Sequence, residues 1–396
     1  MVLEGVKIID MTHFIAGPFC GQYLADYGAE VIKIEPLTGE YSRSANPMYK
    51  DKSLYFAAFN RNKKSLALDL KKSEGKKILS ELILDSDVIL TNFSPDTPKR
   101  LGFDYETISK INPKIIMTHI TGFGQTGEYK HKSAFDGIIQ AMSGIMHLTG
   151  NPEDPPTKTG IYIADHLAGI QGVIGTLTAL IQRSSTKKGQ LVDVSMFDSL
   201  VSFLSYHLSD AELLGNTPTR AGNDSTNVFA TTLKTKDSYI YIAPLTVKMW
   251  EDLCTIIGRK EWSSPESEFY HVDGKLRNYE YLKKEIEHWT KQRTTSEVEN
   301  CLQKYNIACS RINKIEDLIH DPHLNERNMV NEIKINKKDE KIIMPGIPNK
   351  LSDNEEEEDV VFIPELGEHT ERILKDMGKN KEEIDKLVKD GVIAIK

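Results

Sequence analysis

The sequence predicts an α/β protein with a parallel β-sheet and a second, smaller α+β domain. In the first third of the chain, short apolar runs alternate with amphipathic helical patterns, which is typical of parallel strands joined by helical crossovers. The strand-like runs there are residues 6–10, 30–35, 65–70, 88–90 and 114–119. The pattern changes after Val194, where a hairpin signal followed by helical stretches predicts the smaller domain over residues 225–320.

The individual elements follow from apolar periodicity and from the residues that end helices. After the first strand, Gly17-Pro18 predicts a turn. The helical pattern 19–27 ends at Gly28, because glycine readily adopts the left-handed conformation that closes helices. Further elements are predicted as helices at 71–84, 196–214, 249–257, 278–291 and 296–305, a hairpin at 229–244, and two closing helices that end at Gly378 and Gly391. Like charges repel, so the acidic run 353–359 is predicted to be a solvated loop.

Composition excludes several classes of function. Of the 396 residues, 39% are hydrophobic and 27% are charged, as in ordinary globular proteins. The 50 basic and 58 acidic side chains give a net charge of −8, which argues against nucleic-acid binding. The 4 cysteines lack C-x-x-C spacing, so neither a disulfide framework nor a metal site is predicted. With no apolar run of about 18 residues and no signal-peptide pattern, we expect no membrane contact and a cytoplasmic location.

One glycine motif does not predict dinucleotide binding. Residues 122–127 fit G-x-G-x-x-G after a strand, but the charged segment 128–132 follows in place of an apolar helix, and position 147 is a histidine. A glycine-rich turn is therefore predicted. Parallel sheets bind ligands beyond the carboxyl ends of their strands. Those ends correspond here to the loops 12–18, 35–43, 91–96 and 121–127.

Asp165 is the candidate catalytic residue. It stands between the apolar segment 160–164 and a long apolar helix in which Gly169, Gly172 and Gly175 are three residues apart. Glycine costs a helix about 1 kcal/mol relative to alanine, so this stripe predicts close approach to another backbone or to a ligand. On position alone, an N-cap role is the better explanation for the aspartate. Its apolar setting favours a role as a nucleophile. Nearby N–H groups would then stabilise the tetrahedral oxyanion that forms on attack.

A basic cluster and nearby ring groups point to a phosphate-bearing ligand. Arg61, Lys63 and Lys64 precede or begin a predicted strand, and Lys99-Arg100 follows another. Cations at these loops suit the phosphates of a nucleotide-like cofactor, although a solvated basic surface is the commoner explanation for lysines. Phe93 offers a ring for purine stacking. His13 is a candidate lining residue, whereas His166 points away from its neighbour Asp165 on a helix.

These segments together resemble the class III CoA-transferases, a family that includes the α-methylacyl-CoA racemases. The segments that carry the resemblance are Ala16-Gly17-Pro18, residues 28–35, residues 62–65, residues 121–127, residues 136–144, Asp165 and residues 366–370. They occur in the family's order over essentially the whole chain.

The resemblance implies a fold, an assembly and a mechanism. It implies an interlocked homodimer of chains that each have a Rossmann-like large domain, residues 1–190 completed by 346–396. A linker helix at 191–224, the small domain at 225–320 and a return linker at 321–345 complete the chain. Asp165 would attack an acyl-CoA thioester to give an anhydride and then an aspartyl–CoA thioester, from which a small carboxylic acid takes the CoA. The coenzyme A contacts carried over are Ile15, Ala16, Lys64, Asn92, Phe93 and Arg100, with no metal.

Three departures from the family pattern bear on the reaction type. Racemases have a histidine where Phe135 stands, so one base for α-proton exchange is lost, which favours transfer. Ile15 replaces the glutamine of the formyl type, whose glycine run is also lacking between 215 and 235. Pro36 replaces an arginine that contacts CoA phosphates, with Arg43 or Arg61 as candidate substitutes. Residues 306–309 are similar to the carnitine type.

The leading hypothesis is therefore a CoA-transferase closer to the carnitine or 2-hydroxyacyl type than to the formyl type. The alternatives are an α-methylacyl-CoA racemase or epimerase, and a catalytically silent CoA-binding protein. A nicotinamide dehydrogenase rests only on the glycine motif already set aside.

Overall fold

A computed structural model describes residues 1–334, 341–352 and 361–396. The described residues form two compact units. Unit 1 comprises residues 1–145, 158–208 and 323–396, and unit 2 comprises residues 146–157 and 209–322. The segment 225–320, predicted as a small domain, falls within unit 2. The acidic run 353–359 lies outside the described residues.

Strands and helices alternate along most of unit 1, whereas unit 2 is mainly helical. The described strands are β1 (Lys7–Met11), β2 (Glu30–Glu35), β3 (Met48–Tyr49), β4 (Lys52–Ser53), β5 (Lys63–Leu68), β6 (Val88–Thr91), β7 (Ile116–Thr121), β8 (Leu191–Ser195), β9 (Thr231–Lys234), β10 (Tyr239–Ala243), β11 (Ala308–Arg311), β12 (Val330–Lys334), β13 (Lys341–Pro345) and β14 (Ile393–Ala394). The described helices are α1 (Ala16–Asp26), α2 (Leu54–Asn60), α3 (Ser73–Leu84), α4 (Thr97–Leu101), α5 (Tyr105–Ile111), α6 (Asp136–Met142), α7 (Ile145–Leu148), α8 (Ile163–Thr186), α9 (Met196–Val201), α10 (His207–Leu214), α11 (Val247–Ile256), α12 (Val272–Arg277), α13 (Tyr279–Thr290), α14 (Thr295–Gln303), α15 (Ile315–Ile319), α16 (Pro322–Glu326), α17 (Thr370–Asp376) and α18 (Lys381–Lys389). Short 3₁₀ turns occur at Tyr41–Ser44, Ser202–Leu204 and Lys260–Ser263.

The central sheet of unit 1 has the strand order β14-β5-β2-β1-β6-β7-β8. Every neighbouring pair is parallel except β14, which runs antiparallel to β5. The six parallel strands follow the chain in the order 3-2-1-4-5-6 of a doubly wound sheet, so the predicted α/β class is confirmed. Strand order reverses between β1 and β6. Sheets of this kind bind ligands in the crevice outside the carboxyl ends at that point.

Each face of this sheet carries its own hydrophobic core. Successive side chains of a strand point to opposite faces, and Ile8 and Ile9 of β1 accordingly enter different cores. The core on the Ile8 face includes side chains of α1 and α8. The core on the Ile9 face includes side chains of α3, α5, α17 and α18. The sheet is thereby covered on both sides, as parallel sheets require.

The C-terminal segment completes the edge of the sheet. Gly367 N–H donates to Ser65 Oγ (3.0 Å), and Ala67 N–H of β5 donates to Thr370 Oγ1 (3.2 Å). Ser65 N–H donates to His369 Nδ1 (3.2 Å). Both predicted closing helices are present as α17 and α18, and the short strand β14 that follows them was not predicted.

The prediction of a single long helix over residues 196–214 is wrong. The chain forms α9, a 3₁₀ turn and α10 instead, and Ser205 between them has a φ of 52°, a left-handed conformation that no α-helix continues through. Residues 191–195, expected within a linker helix, form strand β8 of the main sheet. The expected return linker 321–345 includes the hairpin strands β12 and β13.

Helix α8 packs closely on α1 and on strand β7 through the predicted glycine stripe. A Cβ atom at Gly169 would lie 2.8 Å from the Ala16 carbonyl oxygen, and one at Gly172 would lie 2.9 Å from Ile120 Cδ1. The stripe is therefore a surface of close helix packing. By length and composition α8 is also the one described helix apolar enough to cross a membrane, which is weak evidence because core helices of soluble proteins meet the same criterion.

Replacing Gly172 with valine is expected to destabilise unit 1. The added side chain overlaps Ile120 and Cys20 Sγ, and overpacking of this kind costs about 2 kcal/mol. The measurement is the urea midpoint of the unit 1 transition. Gly137→Ala in α6 is the control, because a Cβ there meets nothing within 4 Å and alanine is the better helix former, so its midpoint should stay unchanged or rise. Equal shifts for the two variants would contradict the packing argument.

Candidate active site

A cavity of about 390 Å³ in unit 1 lies beyond the carboxyl ends of β1, β6 and β7. Its lining includes four aromatic residues and three charged side chains. The aromatic residues are Phe14, Tyr55, Phe135 and Tyr162, and the charged ones are Asp136, Lys158 and Asp165. The cavity also includes the predicted residues Ile15, Ala16 and Asn92. The candidate nucleophile, Asp165, therefore lines a cavity at the place where the strand order of the sheet reverses.

Asp165 occupies the first turn of α8. Tyr162 is the N-cap of this helix, so the aspartate is its third residue and the simple N-cap explanation does not hold. The backbone N–H of Ala16, at the start of α1, lies near the Asp165 carboxylate and favours its ionised form. The positive end of the α1 dipole also faces this carboxylate. The side chain is partly exposed.

The Asp165 carboxyl has an unusual acidity. Burial raises its pKa to about 7, and the nearby Asp136 carboxylate adds to the increase, while the Ala16 N–H opposes it. Near neutral pH the group is therefore divided between its ionised and protonated forms. A pKa matched to the working pH is common among catalytic groups.

Asp136 and Gln140, which were not predicted as site residues, hold the segment before Asp165 in place. Asp136 Oδ1 accepts the Ala164 N–H (2.8 Å), and its Oδ2 accepts from Gln140 Nε2 (2.6 Å). Gln140 Oε1 in turn accepts the Thr159 N–H (2.9 Å). The D-x-x-x-Q spacing puts both side chains on one face of α6 and was the available sequence signal.

Asn92 ties the end of β6 to the loop after β1. Its Nδ2 donates to the His13 carbonyl (2.7 Å), and its Oδ1 accepts the His13 N–H (2.8 Å). The next residue, Phe14, has a φ of 64°, a conformation that is uncommon for a bulky side chain. The paired hydrogen bonds fix this loop, and thereby the position of Ala16.

Three of the predicted CoA contacts lie outside the cavity lining. Lys64 pairs with Glu30 (2.5 Å), and Arg100 is exposed, with its Nη2 3.4 Å from Thr97 Oγ1. Phe93 is partly buried, and its ring centroid lies 4.9 Å from that of His13. The structure brings Ile15, Ala16, Asn92 and Asp165 to one cavity and leaves Lys64, Phe93 and Arg100 outside it.

Several cations expected at the ligand are engaged in ion pairs. Arg61 pairs with Asp26 (2.7 Å) and Lys63 with Asp10 (2.7 Å), and all four groups are almost fully buried. The prediction that these two cations face a phosphate is therefore wrong. Arg43, the other substitute expected for the position of Pro36, is bidentate on Glu35 and stacks on the Phe56 ring.

The structure also bears on the glycine motif, His166 and the question of a metal site. Residues 122–127 form a turn with no helix directly after it, and Gly124 and Gly127 have φ of 80° and 83°, as predicted for a glycine-rich turn. The His166 ring packs on Phe19, with centroids 4.8 Å apart, and takes no part in the cavity lining. Among the residues that the structure describes, no cluster of His, Cys, Asp or Glu suited to a metal ion was found.

A doubly wound sheet with an ionisable carboxylate in the crevice at its reversal point is typical of an α/β enzyme, and the carboxylate is a candidate for covalent group transfer. The family model described as CoA-transferase family III matches residues 3–370. A formyl-CoA:oxalate CoA-transferase of Rhodopseudomonas palustris is 35% identical over 94% of this chain and 92% of its own length. A succinyl-CoA–D-citramalate CoA-transferase of Chloroflexus aurantiacus is 33% identical over 95% of this chain and 94% of its own length. The crystal structure of a CaiB/BaiF family protein from Brucella suis superposes with a TM-score of 0.85 at 32% identity, over 95% of this chain and 99% of that one.

The chain belongs to CoA-transferase family III and is a CoA-transferase. The predicted resemblance is confirmed.

With Asp165 as the predicted nucleophile, transfer activity is expected to rise with pH through about 7, because the attacking carboxylate must be ionised and its pKa is raised to about 7. Asp136→Asn removes a neighbouring negative charge and should move the midpoint to lower pH. The measurement is kcat/KM between pH 5.5 and 9, because this ratio reports groups of the free enzyme. Asp376→Asn, an exposed change in α17, should leave the midpoint in place. A midpoint that Asp136→Asn does not move would contradict this assignment.

Proposed function

We propose that the protein transfers coenzyme A from an acyl-CoA donor to a carboxylic acid acceptor, with Asp165 as the nucleophile. The observation that carries the proposal is a carboxylate of raised pKa that lines a cavity beside the helix N-terminus at Ala16. The Ala16 N–H would stabilise the oxyanion that develops when the aspartyl carbonyl is attacked.

The proposed reaction begins with attack of an Asp165 carboxylate oxygen on the thioester carbonyl carbon. The C–S bond breaks, which gives an aspartyl–acyl anhydride and CoA thiolate. The thiolate then attacks the Asp165 carbonyl carbon and expels the donor carboxylate, which leaves an aspartyl–CoA thioester. The acceptor carboxylate attacks this thioester, and the released thiolate attacks the acceptor carbonyl of the new anhydride. The Asp165 carboxylate is thereby restored, with no net proton uptake or ATP.

A small dicarboxylic acid is the proposed acceptor. The names of the two relatives above include oxalate and D-citramalate, both of which are dicarboxylates. These relatives lean against the carnitine-type preference expected from residues 306–309, and one of them is of the formyl type that the sequence disfavoured. Ile15 and the scarcity of glycines between 215 and 235 still distinguish this chain from the formyl pattern.

Racemisation is the less favoured alternative. Phe135, at the position of the racemase histidine, is 68% exposed at the cavity and carries no titratable group. A catalytically silent CoA-binding protein is disfavoured by the acidity of Asp165, which is suited to reaction near neutral pH.

We also propose that Ile15, Ala16 and Asn92 contact the thioester end of CoA and that Lys64, Phe93 and Arg100 contact its remainder, as the family resemblance implies. An interlocked homodimer is proposed as well. Ile170, Ile174 and Ile181 leave an exposed apolar stripe on α8, which suits burial by a second copy. A cytoplasmic location remains a prediction.

The test is a mass-spectrometric assay in deuterated water with a panel of acyl-CoA thioesters and free carboxylic acids. New CoA thioesters whose acyl group comes from the acid would support transfer and identify the pair. Deuterium incorporated at the α-carbon, with no exchange of acyl partner, would overturn transfer in favour of epimerisation.

A further inference from the structure

Lys158 is the one cation among the described residues that line the active-site cavity. Its side chain forms no hydrogen bond or ion pair with the described residues, whereas Lys33, Lys63, Arg43 and Arg61 all pair with carboxylates. An unpartnered ammonium beside a cavity is available to a ligand anion.

The position of Lys158 relative to Asp165 is fixed at two points. Thr159, directly after the lysine, donates its N–H to Gln140 Oε1 (2.9 Å). Ala164, directly before the aspartate, donates its N–H to Asp136 Oδ1 (2.8 Å). Gln140 and Asp136 are buried and bonded to each other, so both ends of the segment 159–164 are held on α6. The buried pair of Asp136 and Gln140 thereby fixes the backbone next to both Lys158 and Asp165.

Charge balance in the cavity depends on the number of carboxylates in the acceptor. A monocarboxylic acid brings only the carboxylate that reacts with Asp165. A dicarboxylic acid brings a second anion into a cavity in which the Asp136 carboxylate repels it, while Asp165 is uncharged as the aspartyl–CoA thioester that the acceptor attacks. A charged group taken out of water needs a partner of opposite charge, and the lysine is the group that supplies one.

We propose that Lys158 binds the second, non-reacting carboxylate of a dicarboxylic acyl group and thereby selects dicarboxylic over monocarboxylic acceptors. The inference rests on the transfer activity proposed above and adds a specificity-determining residue to it.

The test compares Lys158→Met with the unmodified enzyme on paired acceptors, oxalate and succinate against acetate and propionate, with one fixed acyl-CoA donor. A charge-assisted hydrogen bond is worth roughly ten- to hundredfold in binding, so kcat/KM for dicarboxylates should fall at least about tenfold. The values for monocarboxylates should stay within about twofold, because they do not use this contact. Lys158→Arg should restore part of the selectivity, and Lys188→Met, an exposed change after α8, should alter nothing.

Three results would overturn the assignment. Equal losses for both classes of acceptor would make the lysine a general structural residue. A raised KM for the acyl-CoA donor without acceptor discrimination would assign it to a phosphate of CoA. A dicarboxylate preference that survives Lys158→Met would place selection elsewhere. If the unmodified enzyme forms no new CoA thioester with any acid, the proposed transfer itself fails, which is a separate result.

Discussion

Asp165→Ala is expected to abolish CoA transfer, with a loss of at least about 10³-fold in kcat, since no other group supplies the covalent intermediate. Asp165→Asn should be equally inactive, because a neutral amide keeps the side-chain volume but does not attack a thioester. Both variants should still bind acyl-CoA, as the proposed contacts of the thioester with Ile15 and Ala16 remain.

The measurement pairs turnover by mass spectrometry with calorimetric binding of a CoA thioester. Asp385→Ala, an exposed aspartate of α18, is the matched control and should keep full turnover. Retention of more than about a tenth of the activity in Asp165→Ala would remove the proposed nucleophile, since loss of a covalent catalyst is far larger than that. Loss of binding together with turnover would indicate a folding defect in place of a chemical one.

Lys63→Ala is expected to give the largest loss of stability, about 3–5 kcal/mol, because it leaves a buried carboxylate without its counter-ion. Lys63 Nζ donates to Asp10 Oδ2 (2.7 Å), to the Pro18 carbonyl (2.8 Å) and to Asn60 Oδ1 (3.0 Å). The charged ends of both residues are fully buried. Burial opposes ionisation of Asp10, but the ammonium groups of Lys63 and Lys33 outweigh it and hold its pKa below the ordinary value.

Urea unfolding of unit 1 measures this loss, with Lys110→Ala as the control. Lys110 forms an exposed ion pair on α5, and such pairs contribute at most about 1 kcal/mol. The double variant Asp10→Leu/Lys63→Met should recover part of the loss, since it removes both buried charges. The buried-pair argument would be contradicted if the urea midpoint of Lys63→Ala lay as close to that of the unmodified protein as the midpoint of Lys110→Ala does.

The sheet and its ligand-binding edge were predictable because they depend on local patterns. Apolar runs identified the strands, and the reversal of strand order brings the loop after β1 beside the loop after β6, which carries Asn92. Asp165 was identified by an ionisable group between apolar segments. Each of these signals lies within about ten residues of sequence, where periodicity and turn chemistry are informative.

The rest of the site depends on contacts distant in sequence. Lys63 and Asp10 are 53 residues apart, so the sequence presented the lysine as a surface cation although it is fully buried. Asp136 acquires its role only when α6 meets the start of α8. The break at Ser205 was missed because residues 196–214 contain neither glycine nor proline, and nothing local interrupts the helical pattern.

The assembly of unit 1 from segments on both sides of unit 2 has a consequence for synthesis on the ribosome. Strand β5 is complete early in translation, but its outer edge stays unpaired until β14 has left the exit tunnel. An open strand edge is a template for pairing with other chains. Nascent chains that stall within unit 2 therefore expose that edge. Such fragments would be candidates for aggregation or for chaperone binding, even though unit 1 includes most of its sheet by then.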